Sequence, residues 1–141
     1  MELAAEKDVS GEAEARIALA DALLAANDLA GERAQIEKAS SLAAQSGDRG
    51  IDFDAKTAAA RVDARSGKAD AAIKALTSVR KDARAAGMVQ AEFEARLALG
   101  EALIASGKKT DGNATLRILA DEAKTRGYGL LARKASSAGR A

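Results

Sequence analysis

Acidic and basic side chains recur along this chain in one arrangement: Glu12-Ala13-Glu14-Ala15-Arg16, then Asp52-Phe53-Asp54-Ala55-Lys56, then Glu92-Phe93-Glu94-Ala95-Arg96. Two carboxylates beside one base could divide general-acid and general-base roles. On a helix, however, residues two apart point in different directions, so Asp52 and Asp54 do not converge on one reacting atom. Histidine and cysteine are both absent, which removes the commonest proton shuttle and the strongest side-chain nucleophile. The residues therefore point away from an enzyme. Asp48, Asp52 and Asp54 are candidate cation ligands, but their spacing is not that of an EF-hand loop, and neither a metal nor a cofactor is expected. Gly107-Lys108-Lys109-Thr110 ends like a phosphate loop, yet the position five before Gly107 is Ala102 and no strand precedes it, so a turn is the better reading.

What the string does instead follows from helix geometry. Glu12 with Arg16, Asp52 with Lys56 and Glu92 with Arg96 stand four apart with the acid first, the favourable order for a surface pair contributing about 0.2 to 0.5 kcal/mol. The second acid of each string, Glu14, Asp54 and Glu94, would form an acidic ladder if the helices stack. Copy two departs from its neighbours: Leu23 and Leu103 become Asp63, Ala25 and Ala105 become Arg65, and the acids Asp21 and Glu101 become Arg61. Thr57, Arg61 and Arg65, at four-residue steps, project from one helix face.

The elements that must position these groups are set by the repeat, since 52−12 and 92−52 both give 40 residues. Self-similarity of this kind marks a solenoid whose units stack on their neighbours. Proline is absent and alanine abundant, which favours close-packed helices. Apolar residues follow helical spacing: Ala15, Ala18, Leu19, Ala22, Leu23 and Ala26 in the first helix of copy one, and Ala95, Ala98, Leu99, Ala102, Leu103 and Ala105 in copy three. Second helices carry Ile36, Ala39, Leu42 and Ala43, then Ile73, Leu76, Val79 and Ala83, then Leu116, Leu119, Ala120 and Ala123. Asn27, Gly67 and Gly107 break each pair in the middle and Gly47, Gly87 and Gly127 close it, because asparagine and glycine accept the left-handed conformation that ends a helix.

The expectation is an all-α chain, 1–141, folded as one α-α superhelix of antiparallel helix hairpins, about three and a half repeats. Seven helices are placed near 11–26, 30–46, 51–65, 69–86, 91–105, 111–126 and 129–138, in repeats at about 11–50, 51–90 and 91–129. Ser10 and Thr110 are expected N-caps. Residues 1–7 align with Ser41 to Gly47 and read as the tail of a preceding helix, while 130–139 reads as a capping helix. Phe53, Phe93 and Tyr128 are the only aromatic residues, and Phe93 and Tyr128 are expected to fill the core or the space between repeats.

Leu99-Gly100, Leu103, Gly107, Gly112, Leu116 and Leu119 fall at the spacings of the tetratricopeptide repeat, as do Ala59-Ala60, Gly67, Ala72, Leu76 and Val79, and Leu19-Ala20, Leu23, Asn27, Glu32, Ile36 and Ala39. The chain resembles a long-period array of that family, whose usual period is about 34 residues. Arg16, Lys56 and Arg96 stand at the family's early tryptophan position, and Glu32 replaces its small residue.

The resemblance implies a protein-interaction scaffold with a concave face lined by the first helix of each pair, similar to modules at the C-terminal ends of bacterial signalling and regulatory proteins. On that face Thr57, Arg61, Arg65, Asp21, Glu101, Ile17 and Leu97 would meet, flanked by Leu24 and Ile104. They would bind a peptide or partner domain, with Arg61 and Arg65 toward acidic side chains; alternatively Arg61 bridges Asp21 and Glu101. The family's carboxylate clamp is not matched, which disfavours chaperone C-terminal tails. The competing expectation is a structural spacer or a self-association module giving a homo-oligomer.

Charge narrows the partners. Lys and Arg number 22 against 21 acids, a net charge of +1, which provides no global field for nucleic acid or an anionic membrane. Arg80, Lys81 and Arg84 cluster, and Lys124, Arg126, Arg133, Lys134 and Arg140 make the C-terminal end basic. No aromatics are interleaved for base stacking, so no nucleic-acid partner is expected. With an acidic start, no long apolar run and no cysteine, a cytoplasmic protein without a membrane partner is the reading.

Overall fold

The computed structural model describes the backbone of residues 2–139 and the side chains of residues 8–139. Seven helices and no strand make up the described residues: α1 (Glu2–Ala25), α2 (Leu29–Ser46), α3 (Arg49–Arg65), α4 (Ala69–Ala85), α5 (Val89–Ala105), α6 (Lys109–Thr125) and α7 (Gly129–Ala138). Each of α1 to α6 stops at a left-handed residue. Asn27, Gly47, Gly67, Gly87, Gly107 and Gly127 all have positive φ, from 61° at Asn27 to 92° at Gly107, a conformation that an ordinary side chain opposes. The amide that follows usually turns back to the carbonyl five residues earlier, as in Lys68 to Asp63 (2.8 Å), Lys108 to Leu103 (2.9 Å) and Tyr128 to Ala123 (2.7 Å). That bond satisfies a carbonyl the helix would otherwise leave open.

Helix starts differ from the sequence expectation. The carboxylates of Asp28 and Asp48 cap α2 and α3 by accepting from Gly31 N (3.0 Å) and Ile51 N (3.2 Å). Ser10 caps nothing, because α1 runs unbroken from Glu2 through it, so the backbone of 2–7 continues the first helix instead of ending an earlier one. Thr110 is already inside α6, whose N-cap is Lys108. Met1, Arg140 and Ala141 lie outside the described residues, and with Arg140 the last member of the basic C-terminal group.

Packing is sequential. Helices α1, α3, α5 and α7 form an inner layer in which each touches the next, whereas α2, α4 and α6 have no contact with one another. Inner helices that close up while the outer ones fan apart curve the stack toward the inner layer, giving an all-α helical-repeat superhelix. The core is thickest at the third repeat, where Phe93, Leu97, Leu116, Leu119 and Leu131 pack together and Tyr128 meets Phe93 edge-on at 5.3 Å. At the first repeat it thins to Ala13, Ala20, Ile36, Ala43 and Ile51, with Ala58 and Val62 of α3.

The apolar stripe expected in α5 is buried except at Leu103 and Ala105, but in copy one Ala15, Ala18, Leu19 and Ala22 of α1 and Ala26 just after it are exposed, and Ala13 and Ala20 are buried instead. The cause is position: α5 is packed by α3, α4, α6 and α7, whereas α1 has only α2 and α3 to lie against.

Candidate functional site

Repetition puts equivalent positions of α1, α3 and α5 side by side on the inner layer. The acids Asp21 and Glu101 flank Arg61 in register, and Ile17, Thr57 and Leu97 lie one turn earlier. A groove of about 520 Å³ opens there, lined by Asp21, Arg61, Arg65, Leu97 and Glu101, with Leu24 on its apolar side. It adjoins a cavity of about 200 Å³ that includes Ile17 and Thr57. Each residue predicted for the concave face, Thr57, Arg61, Arg65, Asp21, Glu101, Ile17 and Leu97, lines one or both of these adjoining hollows. Ile104 does not; it packs against the core of the third repeat. Asp63, one of the marked departures of copy two, turns to the far side of α3, where Arg33 approaches it at 3.7 Å.

The ion pairing is not the one the register suggested. Arg61 lies 3.6 Å from Glu94, about two turns of α5 before Glu101, and pairs with neither Asp21 nor Glu101. Arg65 donates from Nη1 to the carbonyl oxygen of Leu24 at 3.3 Å, a cation placed against the negative end of the α1 dipole.

Burial in the groove pushes the Glu101 carboxyl above its usual range, and Arg61 and Arg65 oppose that shift. Asp54, exposed but set among the inner helices, is pushed up to about 6 by desolvation and then by Glu94, Glu14, Asp21 and Asp48. Behind the groove, Glu32 is wholly buried with both carboxylate oxygens unpartnered. Desolvation and then Asp21 push it up to about 7, against Arg65, Arg61 and Arg33.

One feature of the site was missed by sequence reasoning. Arg133 and Lys134 of α7 line the groove opposite Asp21 and Leu24 of α1, so the closing helix supplies cations to the site as well as covering the third repeat. Lys134 stands 40 residues after Glu94, and following the repeat one step further would have placed it on the same ladder. Among the described residues no group of three or more acids is arranged to hold a metal ion, and no helix is long and apolar enough to cross a membrane.

Elsewhere the strings behave as helix support. Arg16 pairs with Glu12 at 2.8 Å, Lys56 with Asp52 at 2.9 Å and Arg96 with Glu92 at 3.5 Å. Arg96, 3% exposed, also donates to Glu122 Oε2 at 2.7 Å, and this hydrogen bond holds the Glu122 carboxyl below its usual range.

Comparison of the chain with protein-family models, curated proteins and solved structures gives no match.

Proposed function

We propose that the chain is a non-catalytic, tetratricopeptide-like interaction module that docks a peptide or a partner domain in its concave groove. The observation that carries this reading is that Ile17, Asp21, Thr57, Arg61, Arg65, Leu97 and Glu101 line two adjoining hollows of the inner layer. Apolar floor and charged walls together suit an extended peptide, which needs the first for affinity and the second for register. Arg65, Arg133 and Lys134, which form no ion pair among the described residues, support acidic side chains as one part of the partner.

The test is selection of a displayed random-peptide library on the wild-type protein, followed by affinity measurement on the Arg61→Glu, Arg65→Glu double variant, with helicity followed by circular dichroism. Selected peptides are expected to bind the folded variant at least tenfold more weakly. Undiminished affinity for a folded double variant excludes the groove.

A further inference from the structure

The two acids of the repeated string have different fates. The first acid of each is committed to the base four residues on. Of the second acids, Glu94 has Arg61 at 3.6 Å, whereas Glu14 and Asp54 form no ion pair among the described residues. Helix support explains the first set and leaves Asp54 without a counterion.

Asp54 lines the cavity of about 200 Å³, together with Thr57, Asp21, Glu94, Gln90 and Lys134. Thr57 is 3% exposed and its Oγ1 has no hydrogen-bond partner. Thr77 and Thr125 satisfy their hydroxyls on the carbonyl four residues back, Ile73 at 2.7 Å and Asp121 at 2.9 Å. The Thr57 hydroxyl makes no such bond, and a buried oxygen left in this way is costly until something reaches it. Charge selects the visitor. With Glu94 paired to Arg61, Asp21 and Asp54 outnumber Lys134 around the cavity, and Glu14 adds its field from the neighbouring helix. An anion would be repelled, and the acids are not grouped to chelate a metal. The space is too small for a drug-sized ligand, for which pockets run from about 300 Å³ upward, and fits one long side chain.

We propose that this cavity is a subsite for a cationic side chain of the docked peptide, a lysine or arginine whose donors are accepted by the Asp54 carboxylate and Thr57 Oγ1. The proposal rests on the groove as the docking surface and adds a basic residue to what the partner must carry. Lysine offers three donors and arginine five, with no acceptor to be left unpaired.

The probe is Nα-acetyl-arginine amide, with its neutral isostere Nα-acetyl-citrulline amide, titrated into the ¹⁵N-labelled full chain. The arginine compound is expected to give saturable shifts centred on Asp54 and Thr57, with at least tenfold weaker binding of the citrulline compound. Asp54→Asn, which relieves like-charge crowding and so keeps the fold, is expected to lose at least tenfold, and Thr57→Val severalfold. Lowering the pH through about 6 protonates Asp54 and is expected to weaken binding; the groups that face it are the carboxylates of Glu14, Asp21, Asp48 and Glu94 and the cations Arg61 and Lys134.

Equal binding of the two compounds, unaltered binding to Asp54→Asn, or no saturable shift overturns the subsite. Should library peptides still bind in a manner sensitive to Arg61 and Arg65 while the arginine probe fails, only the cation subsite falls and the groove stands.

Discussion

Glu32 occupies the place that Ala72 and Gly112 hold in the next two hairpins, and there it is 0% exposed with no hydrogen bond to either carboxylate oxygen. An acid in that setting keeps its proton far longer in the folded chain than in the unfolded one. Below its ordinary value of 4.5 it is neutral in both states and pH has no leverage on it; from there up to about 7 the unfolded chain gives up the proton while the folded chain keeps it. Stability therefore falls across that window, by up to about 3 kcal/mol.

Asp54 acts in the same direction, while Glu122, held low by Arg96, acts in the opposite one. The informative quantity is thus the difference between wild type and Glu32→Gln in urea unfolding at successive pH values. The variant's advantage is expected to grow from acid to neutral pH and then level off; a pH-independent difference would mean that Glu32 is not titrating in the folded chain. The residue itself is legible in the sequence as a break in the run of small residues. Its burial is not, because that depends on how far apart α1 and α2 stand, and a contact through the small side chains of Ala13 and Ala20 leaves no sequence signal of that distance.

At the scale of elements, α5 and α6 approach each other closely at two glycines. A Cβ added at Gly112 would lie 2.7 Å from Ile104 Cγ1 and 2.9 Å from the backbone oxygen of Gly100, and one added at Gly100 would lie 2.5 Å from Leu116 Cγ. Alanine is the better helix former by about 1 kcal/mol, yet the Gly100 carbonyl cannot step aside. Gly112→Ala is accordingly expected to destabilise, by about 1 to 3 kcal/mol, as a lowered urea midpoint with unchanged slope; a stabilised variant would show that the two helices can part freely. Ala72 at the same place in repeat two, wholly buried against Leu76, Ala60 and Leu99, shows that a neighbouring pair does accommodate the methyl.

Helix ends were readable wherever a left-handed residue was required, since asparagine and glycine stand at every one of those positions. The start of α1 was not, because Ser10-Gly11 has the composition of a break but lies within unbroken helix. Nor were the caps at Asp28 and Asp48, which lie directly after the residues read as helix stops. For α7 the helix was legible and its place in the groove was not: Arg133 and Lys134 read as terminal charge until the curvature of the stack brings them opposite α1.

For the whole molecule, the interval between strings was enough to specify an all-α stack, because a unit of two thin helices cannot hide its apolar face without neighbours. The side-by-side placement of Asp21, Arg61 and Glu101 followed from the register together with the family resemblance. Which charges pair across the groove did not, since Arg61 reaches Glu94 and not Glu101 through a side-chain direction that repeat alignment does not encode. The broader pattern of contacts also bears on mechanical behaviour. Because α2, α4 and α6 never meet, no brace joins one hairpin to any but the adjoining one, and tension applied at the two termini has only a single seam to open at a time. Stretching in an optical trap is expected to give a staircase, with the alanine-lined first hairpin yielding at the lowest load and the section held by Phe93, Leu116 and Leu119 at the highest. One abrupt rip would show that the array behaves as an undivided block. A staircase would make this chain an extensible tether whose length reports the load upon it.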